Sequence, residues 1–232
     1  MIRPTIIENR SLEAAVEKLY DRRFPAGIRQ RRAAVWQVLC RDWLSHFIPP
    51  QARVLEVGGG FCEFINNIPA AERVVIDLNP KTRQFAAPGV VVHEAAAEDL
   101  EQVLPTDYFD IVFMSNFLEH CRTRDNVLQV LAGAEAVLKP GGKVLILGPN
   151  FRYCAKDYFD YFDHHLPLTE KAVVEALQLV GLTADVVLDR TLPFSFRGRL
   201  PSWPWLVRLY LHMPWVWKWF GAQFFVMGKK LP

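Results

Sequence analysis

Residues 53–82 read RVLEVGGGFCEFINNIPAAERVVIDLNPKT: an apolar strand, three glycines, a helical stretch, and a second strand closed by Asp77. Arg53 to Val57 has the β-branched, apolar character of a strand buried in a parallel sheet. The strand stops at Gly58, Gly59 and Gly60, where the missing Cβ lets the backbone turn sharply and lie close to a ligand. Asp77 ends the run Val74-Val75-Ile76 about twenty residues after the first glycine, where a carboxylate can accept both hydroxyls of a ribose. The stretch is therefore one βαβ unit whose ligand contains adenosine or a similar nucleoside.

A nicotinamide-binding G-x-G-x-x-G fingerprint needs its third glycine at position 63, where this chain has Glu63. The segment instead resembles motif I of the class I S-adenosylmethionine-dependent methyltransferases, a strand followed by E/D-x-G-x-G-x-G. Glu56 stands as its acidic residue and Cys62 occupies the last glycine position. Asp107 to Ser115, DYFDIVFMS, is similar to the fourth strand of that family, and Asn116-Phe117-Leu118-Glu119-His120 to the loop after it. Leu138 to Ile146, LKPGGKVLI, is similar to its L-K-P-G-G turn and fifth strand. The resemblance implies a Rossmann-like α/β fold, with helices on both faces of a seven-stranded, mostly parallel sheet. Its last strand is antiparallel and slots between the fifth and sixth. The cofactor so implied is S-adenosylmethionine, held by Glu56, Gly58, Gly59, Gly60, Phe61, Asp77, Leu78, Ala97, Glu98 and Asn116. The adenine side departs from the pattern, because HEAAAEDL at 93–100 puts alanine where the family often has an acid.

At 232 residues, 51% hydrophobic, the chain suits one α/β domain over 1–232 with additions. The opening MIRPTIIENRSLE has no apolar core of signal-peptide type, so cytoplasmic residence is expected. Cys40, Cys62, Cys121 and Cys154 are scattered without C-x-x-C spacing and read as reduced, mostly buried thiols. Adjacent His164 and His165 cannot easily bind one metal together, and no H-x-x-x-H or cysteine-histidine set accompanies them, so no metal is expected. The net charge of +2 hides an asymmetry: seven basic residues and no acid lie from Arg190 onward, leaving −5 on the first 189 residues. Arginine clusters at 22–23 and 29–32 lack interleaved aromatics and read as solvated helix faces, so nucleic-acid binding is not expected.

Periodicity and caps predict N-terminal helices within 11–47, one from Ser11 to about Tyr20 and one from Gln30 to Phe47. Strands are expected at 53–57, 73–77, 90–93, 109–114, 143–148, 183–189 and 223–229, with helices near 61–67, 80–86, 124–138 and 169–180. Residues 149–168 and 190–222 leave strands five and six. They would thus emerge at the carboxyl ends of the parallel strands, where open α/β sheets bind ligands, and serve substrate recognition.

Methyl transfer from a sulfonium needs alignment of nucleophile and methyl group, and an aliphatic hydroxyl acceptor also needs a base. Histidine is the commonest such base. His165 or His164 is the first candidate, with Asp163 orienting an imidazole or binding a hydroxyl, and His120 the second. The alternative is structural, with one histidine packing beside the helix that Thr169 caps. Asn150, Arg152, Tyr153 and Arg197 are candidate acceptor contacts.

Residues 192–220 hold Trp203, Trp205, Trp215, Trp217 and Trp219, interrupted by Arg208 and Lys218 and divided by Pro201, Pro204 and Pro214, so no span long enough to cross a bilayer is expected. The segment reads either as an interfacial element whose rings sit at headgroup depth or as a hydrophobic lid over the sheet. The motifs GPNFRY, FDHHLPLTEKAVVEAL, RLPSWPWLVRLYLHMP and WKWFGAQFFVMGKK resemble a bacterial methyltransferase subgroup associated with surface-glycan and lipid-linked sugar pathways. That resemblance implies O-methylation of a sugar hydroxyl on a lipid-linked or nucleotide-linked intermediate, at the inner face of the membrane. A methyltransferase of a hydrophobic small molecule such as a lipid quinone is the alternative enzyme. A noncatalytic cofactor-binding or membrane-adaptor protein is the alternative outside enzymes.

Overall fold

The computed structural model describes residues 23–194 and 203–232. The helix expected from Ser11 to Tyr20 and the candidate contact Arg197 lie outside them.

Helix α1, Ala26–Asp42, leads through a 3-10 turn, Leu44–Phe47, into β1, Arg53–Val57. β2 is Glu72–Asp77, α2 is the single turn Thr82–Phe85, and β3 is Val90–Glu94. α3, Leu100–Val103, precedes β4, Phe109–Ser115, and α4, Arg124–Val137, precedes β5, Leu138–Pro149. α5, Phe151–Cys154, and α6, Glu170–Leu179, lead to β6, Leu182–Leu188. α7, Pro204–Leu211, and α8, Pro214–Phe220, precede β7, Gln223–Lys230. The sheet order is β3-β2-β1-β4-β5-β7-β6. β1 to β5 run parallel, and β7 lies antiparallel between β5 and β6, as the sequence resemblance implies.

Both faces of the sheet are buried, so alternate residues of each strand enter different cores. Leu55, Val112, Met114, Val144, Ile146 and Val226 pack with α4 and α6 on one face. Val54, Ile111, Phe113, Leu145, Leu147 and Phe225 pack with α1 and α7 on the other. That is why these strands read as continuous apolar runs rather than as alternating ones. α4 and α6 start where expected, because Thr123 and Thr169 each accept a backbone N–H with the side-chain hydroxyl, from Asn126 at 3.1 Å and Ala172 at 3.3 Å.

Two sequence expectations are corrected. The helix expected at 61–67 is a series of turns ending in a 3-10 segment, Ile65–Asn67. Cys62 takes φ of 54°, a left-handed conformation that stops an α-helix from propagating. Instead, the Glu56 carboxylate caps the segment by accepting the Ile65 N–H at 3.2 Å. The helix expected at 80–86 is reduced to α2 by Ala86, which is extended. Conversely, α1 begins four residues before the expected Gln30, directly after Pro25, whose carbonyl accepts the amides of Ile28 and Arg29.

Candidate active site

The cofactor side of the site is built by β1 and β2. Asp77 ends β2, its Oδ2 accepting the Gly60 N–H at 2.7 Å and its Oδ1 the Asn79 N–H at 2.8 Å. These bonds hold the carboxylate at the rim of the glycine loop, and each oxygen keeps a second lone pair for a ribose hydroxyl. Gly60 has φ of 52°, and a Cβ added there would meet nothing within 4 Å, so the loop forms an open cradle. Gly58 and Gly59 are instead tightly packed: added Cβ atoms would lie 2.4 Å from the Phe117 ring and 2.5 Å from Val75. An exposed Leu78 offers an apolar surface beside the carboxylate. These residues fit the ribose and adenine of S-adenosylmethionine.

Other candidates have more structural surroundings. Glu56 is buried behind the loop, where burial pushes its carboxyl well above the usual range. The Phe61 ring joins Phe24 and Phe85 at centroid distances of 5.6 and 4.9 Å. Ala97 is buried, and the Glu98 carboxylate accepts from Asn126 Nδ2 at 3.2 Å. Asn116, exposed at the end of β4 with φ of 48°, donates its backbone N–H to Leu147 at 2.8 Å.

Phe117, against Gly58, continues into the 3-10 turn Leu118–His120, so the cofactor loop and the loop after β4 touch. The Glu119 carbonyl accepts the amides of His165 at 2.8 Å and Leu166 at 3.3 Å, binding in the segment that follows β5. This junction gathers Glu119, His120 and His164, each offering one ligand-type atom, the three within 4.8 Å of one another. Glu119 is buried, which pushes its carboxyl up to about 7, and its Oε1 has no hydrogen-bond partner. Burial, and after it His120, lowers the His164 imidazole to about 4, and His164 Nδ1 is also buried without a partner. Its ring stacks on Tyr161 at 4.9 Å and lies 5.2 Å from His120.

His120 Nδ1 lies 2.8 Å from the Asp163 carbonyl. A carbonyl can only accept, so Nδ1 carries the proton and Nε2 presents the lone pair. The Asp163 carboxylate stands 3.6 Å from the same ring nitrogen and forms a two-pronged ion pair with Arg23 at 2.7 and 2.9 Å. Burial raises the Asp163 carboxyl, but Arg23 and His120 outweigh it and hold the group below its ordinary value. Asp163 thus holds the imidazole of His120, and not that of His164 or His165 to which the sequence reading joined it. The ring of His165 is exposed, and only its backbone is tied into the junction.

The expected acceptor contacts fall elsewhere. Asn150 is fully buried and donates to Glu170 Oε2 at 2.7 Å and the Asp189 carbonyl at 2.8 Å, so it braces the segment after β5 from within. Tyr153 donates to Asp189 at 2.6 Å and lies under Arg190, and Arg152 pairs with Glu170 at 3.5 Å. Sequence reasoning did not single out Arg23, Tyr161 or Phe194. Phe194, from the segment after β6, lies 5.6 Å from Tyr161 and 6.4 Å from His164, so both additions reach the site.

The tryptophan segment divides into one buried ring and four exposed ones. Trp217 is buried, 5.8 Å from Trp43, with Nε1 donating to the Tyr210 carbonyl at 2.9 Å. Trp203, Trp205, Trp215 and Trp219 are 57–69% exposed. Among the described residues no helix is long and apolar enough to cross a membrane.

Residues 55–146 match the family described as a methyltransferase domain. A ubiquinone/menaquinone biosynthesis C-methyltransferase, UbiE, of Vibrio vulnificus is 32% identical over 133 residues, 51% of this chain and 50% of its own. The corresponding protein of Vibrio parahaemolyticus is 31% identical over the same shares. The chain thus spans about half the length of the curated relatives it matches. A methyltransferase dependent on S-adenosylmethionine from Archaeoglobus fulgidus superimposes with a TM-score of 0.66 at 18% identity, covering 92% of this chain and 99% of that one. A possible histamine N-methyltransferase from Thermotoga maritima gives 0.64 at 19%, covering 94% and 97%.

Proposed function

We propose that this chain, which carries a class I S-adenosylmethionine-dependent methyltransferase domain, O-methylates a sugar hydroxyl of a glycan or glycolipid intermediate. One observation carries this reading: Phe117 against Gly58 joins the cofactor cradle to a cluster of proton-accepting side chains, Glu119, His120 and His164. An aliphatic hydroxyl must lose its proton as it attacks, and this cluster offers groups that can take it.

When bound, the cofactor supplies a methyl group on a positively charged sulfur that leaves as a neutral thioether. Asp77 and the glycine loop fix the ribose, and Asn116 and Phe117 border the methionine side. The acceptor hydroxyl enters against His120, whose Nε2 lone pair is aimed by the Asp163 carbonyl, and its proton passes to the cluster. Alignment and base catalysis are thereby supplied by neighbouring loops on one rigid sheet.

The acceptor is lipid-linked in this proposal. Trp203 at the N-cap of α7, Trp205 in α7, and Trp215 and Trp219 in α8 are exposed, with Arg208 and Lys218 among them, and the other faces of the two helices pack on the domain. Tryptophan and cationic residues at a helix surface suit the headgroup region of an anionic bilayer, which supports a site at the inner face of the membrane.

A second reading, methylation of a hydrophobic quinone, is favoured by the similarity to the quinone C-methyltransferases over half the chain. Transfer of labelled methyl from S-adenosylmethionine to lipid-linked sugars, nucleotide sugars and quinones, with mass analysis of products, separates the two. An O-methyl sugar whose formation falls about 10²–10⁴-fold in His120→Ala supports the proposal. Methylation of the quinone ring alone refutes it.

A further inference from the structure

We propose that Glu119, His120 and His164 form a binding site for one divalent transition-metal ion. Each contributes one ligand-type atom, and the three atoms lie within 4.8 Å of one another. Donors at about 2.1 Å from one tetrahedral ion stand about 3.4 Å apart, so side-chain shifts of up to about 1 Å each would close the set.

Three features distinguish this cluster from a chance grouping. First, Glu119 is 2% exposed and its Oε1 has no hydrogen-bond partner, a costly arrangement for a carboxylate unless something satisfies it. His164 Nδ1 is likewise buried and unpartnered, enclosed by the rings of Tyr158, Tyr161 and Phe194. Second, the His120 ring has the supporting contact typical of metal-bound histidines. Its Nδ1–H donates to the Asp163 carbonyl at 2.8 Å, which fixes the tautomer and leaves Nε2 for an ion. Third, Arg23 is already engaged by the Asp163 carboxylate, so the Glu119 carboxylate is left to offset one of a dication's two charges.

Two imidazoles and one carboxylate select ions such as Mn²⁺, Co²⁺ or Zn²⁺ over Mg²⁺ or Ca²⁺, which prefer all-oxygen sets. Three protein ligands leave positions open. An ion there would hold the acceptor oxygen and lower its pKa, its proton leaving to solvent, while the cofactor's methyl group moves from sulfur to that oxygen. This role rests on the acceptor-site reading above, whereas binding of the ion does not. With the ion bound His120 serves as its ligand, and without the ion it is the base described above.

The test uses the full chain without an affinity tag, stripped with a chelator and titrated with Co²⁺ by calorimetry and visible absorption. One Co²⁺ per chain is expected. Glu119→Gln and His164→Ala should each weaken it by more than the roughly 10–100-fold that loss of a supporting group costs. Absence of a stoichiometric site, or unchanged affinity in both variants, overturns the inference. If a variant fails to fold, X-ray absorption of the Zn²⁺-loaded wild type decides. Two imidazole nitrogens and a carboxylate oxygen around zinc uphold the site, and any other protein donor set overturns it. Titrating the same samples with S-adenosylmethionine separates the two proposals. Cofactor binding without a metal site defeats only this inference, and metal binding without cofactor binding defeats only the methyltransferase reading.

Discussion

Asp77→Asn is the most informative single substitution in the cofactor site, because the carboxylate it replaces serves two backbone donors at once. Oδ2 accepts from Gly60 at 2.7 Å and Oδ1 from Asn79 at 2.8 Å. A carboxamide has one oxygen and one NH₂, so whichever way it turns, a donor faces a donor. The loop therefore loses one charge-assisted bond of about 1.5–3 kcal/mol, and the ribose loses an acceptor of similar strength. Counting only the ribose contact, about 2–3 kcal/mol corresponds to roughly 30–150-fold weaker S-adenosylmethionine binding. The loop contact adds a stability loss of about 1.5–3 kcal/mol. Calorimetric titration of wild type and variant with S-adenosylmethionine and S-adenosylhomocysteine measures the first, and denaturant unfolding the second. A variant that binds within threefold of wild type would refute the placement of the ribose on Asp77, whatever its stability.

Two further expectations concern burial and surface. Glu56 is buried and its carboxyl is raised above the usual range chiefly by desolvation, against the Ile65 N–H that lowers it. The folded state thus keeps a proton that the unfolded chain releases near pH 4.3. Glu56's share of stability is full below that pH and declines as pH climbs toward its raised value, by up to about 1.4 kcal/mol per unit. In Glu56→Gln that component disappears, and an unfolding profile with unchanged pH dependence would show that Glu56 is not its source. Replacing exposed Trp203, Trp205, Trp215 and Trp219 by serine should abolish co-sedimentation with vesicles containing anionic lipid. Cofactor affinity should stay unaltered, and retained sedimentation would exclude α7 and α8 as the contact.

The sheet was legible because its strands are β-branched, apolar runs, β1 stopping at Gly58, and because Asp77 and the LKPGG turn match a recognisable family pattern. The helix after Gly60 was misread, since apolar spacing at Phe61, Phe64 and Ile65 says nothing of the left-handed turn at Cys62. The cluster at the end of β4 was half legible. Glu119 and His120 stand together in sequence, but His164 reaches them only through the Glu119 carbonyl that captures the segment after β5. Of the adjacent histidines, one turns inward and one outward, a choice made by the aromatic packing of Tyr158 and Tyr161. Asn150 had the look of a substrate contact because it follows β5, yet full burial commits its amide to Glu170 and Asp189.

The place of β7 bears on how the molecule is made. It is the seventh strand to leave the ribosome, yet it sits between the fifth and the sixth. Until it emerges, β5 has only one neighbour and β6 has none. The nascent chain can complete the parallel half, β3-β2-β1-β4-β5, with the cofactor loop already in it, while an apolar β5 edge stays open. Such an edge can be captured by another chain's strand. Slowing translation after residue 190, or truncating before Gln223, should then leave a species that binds chaperones and aggregates through β5.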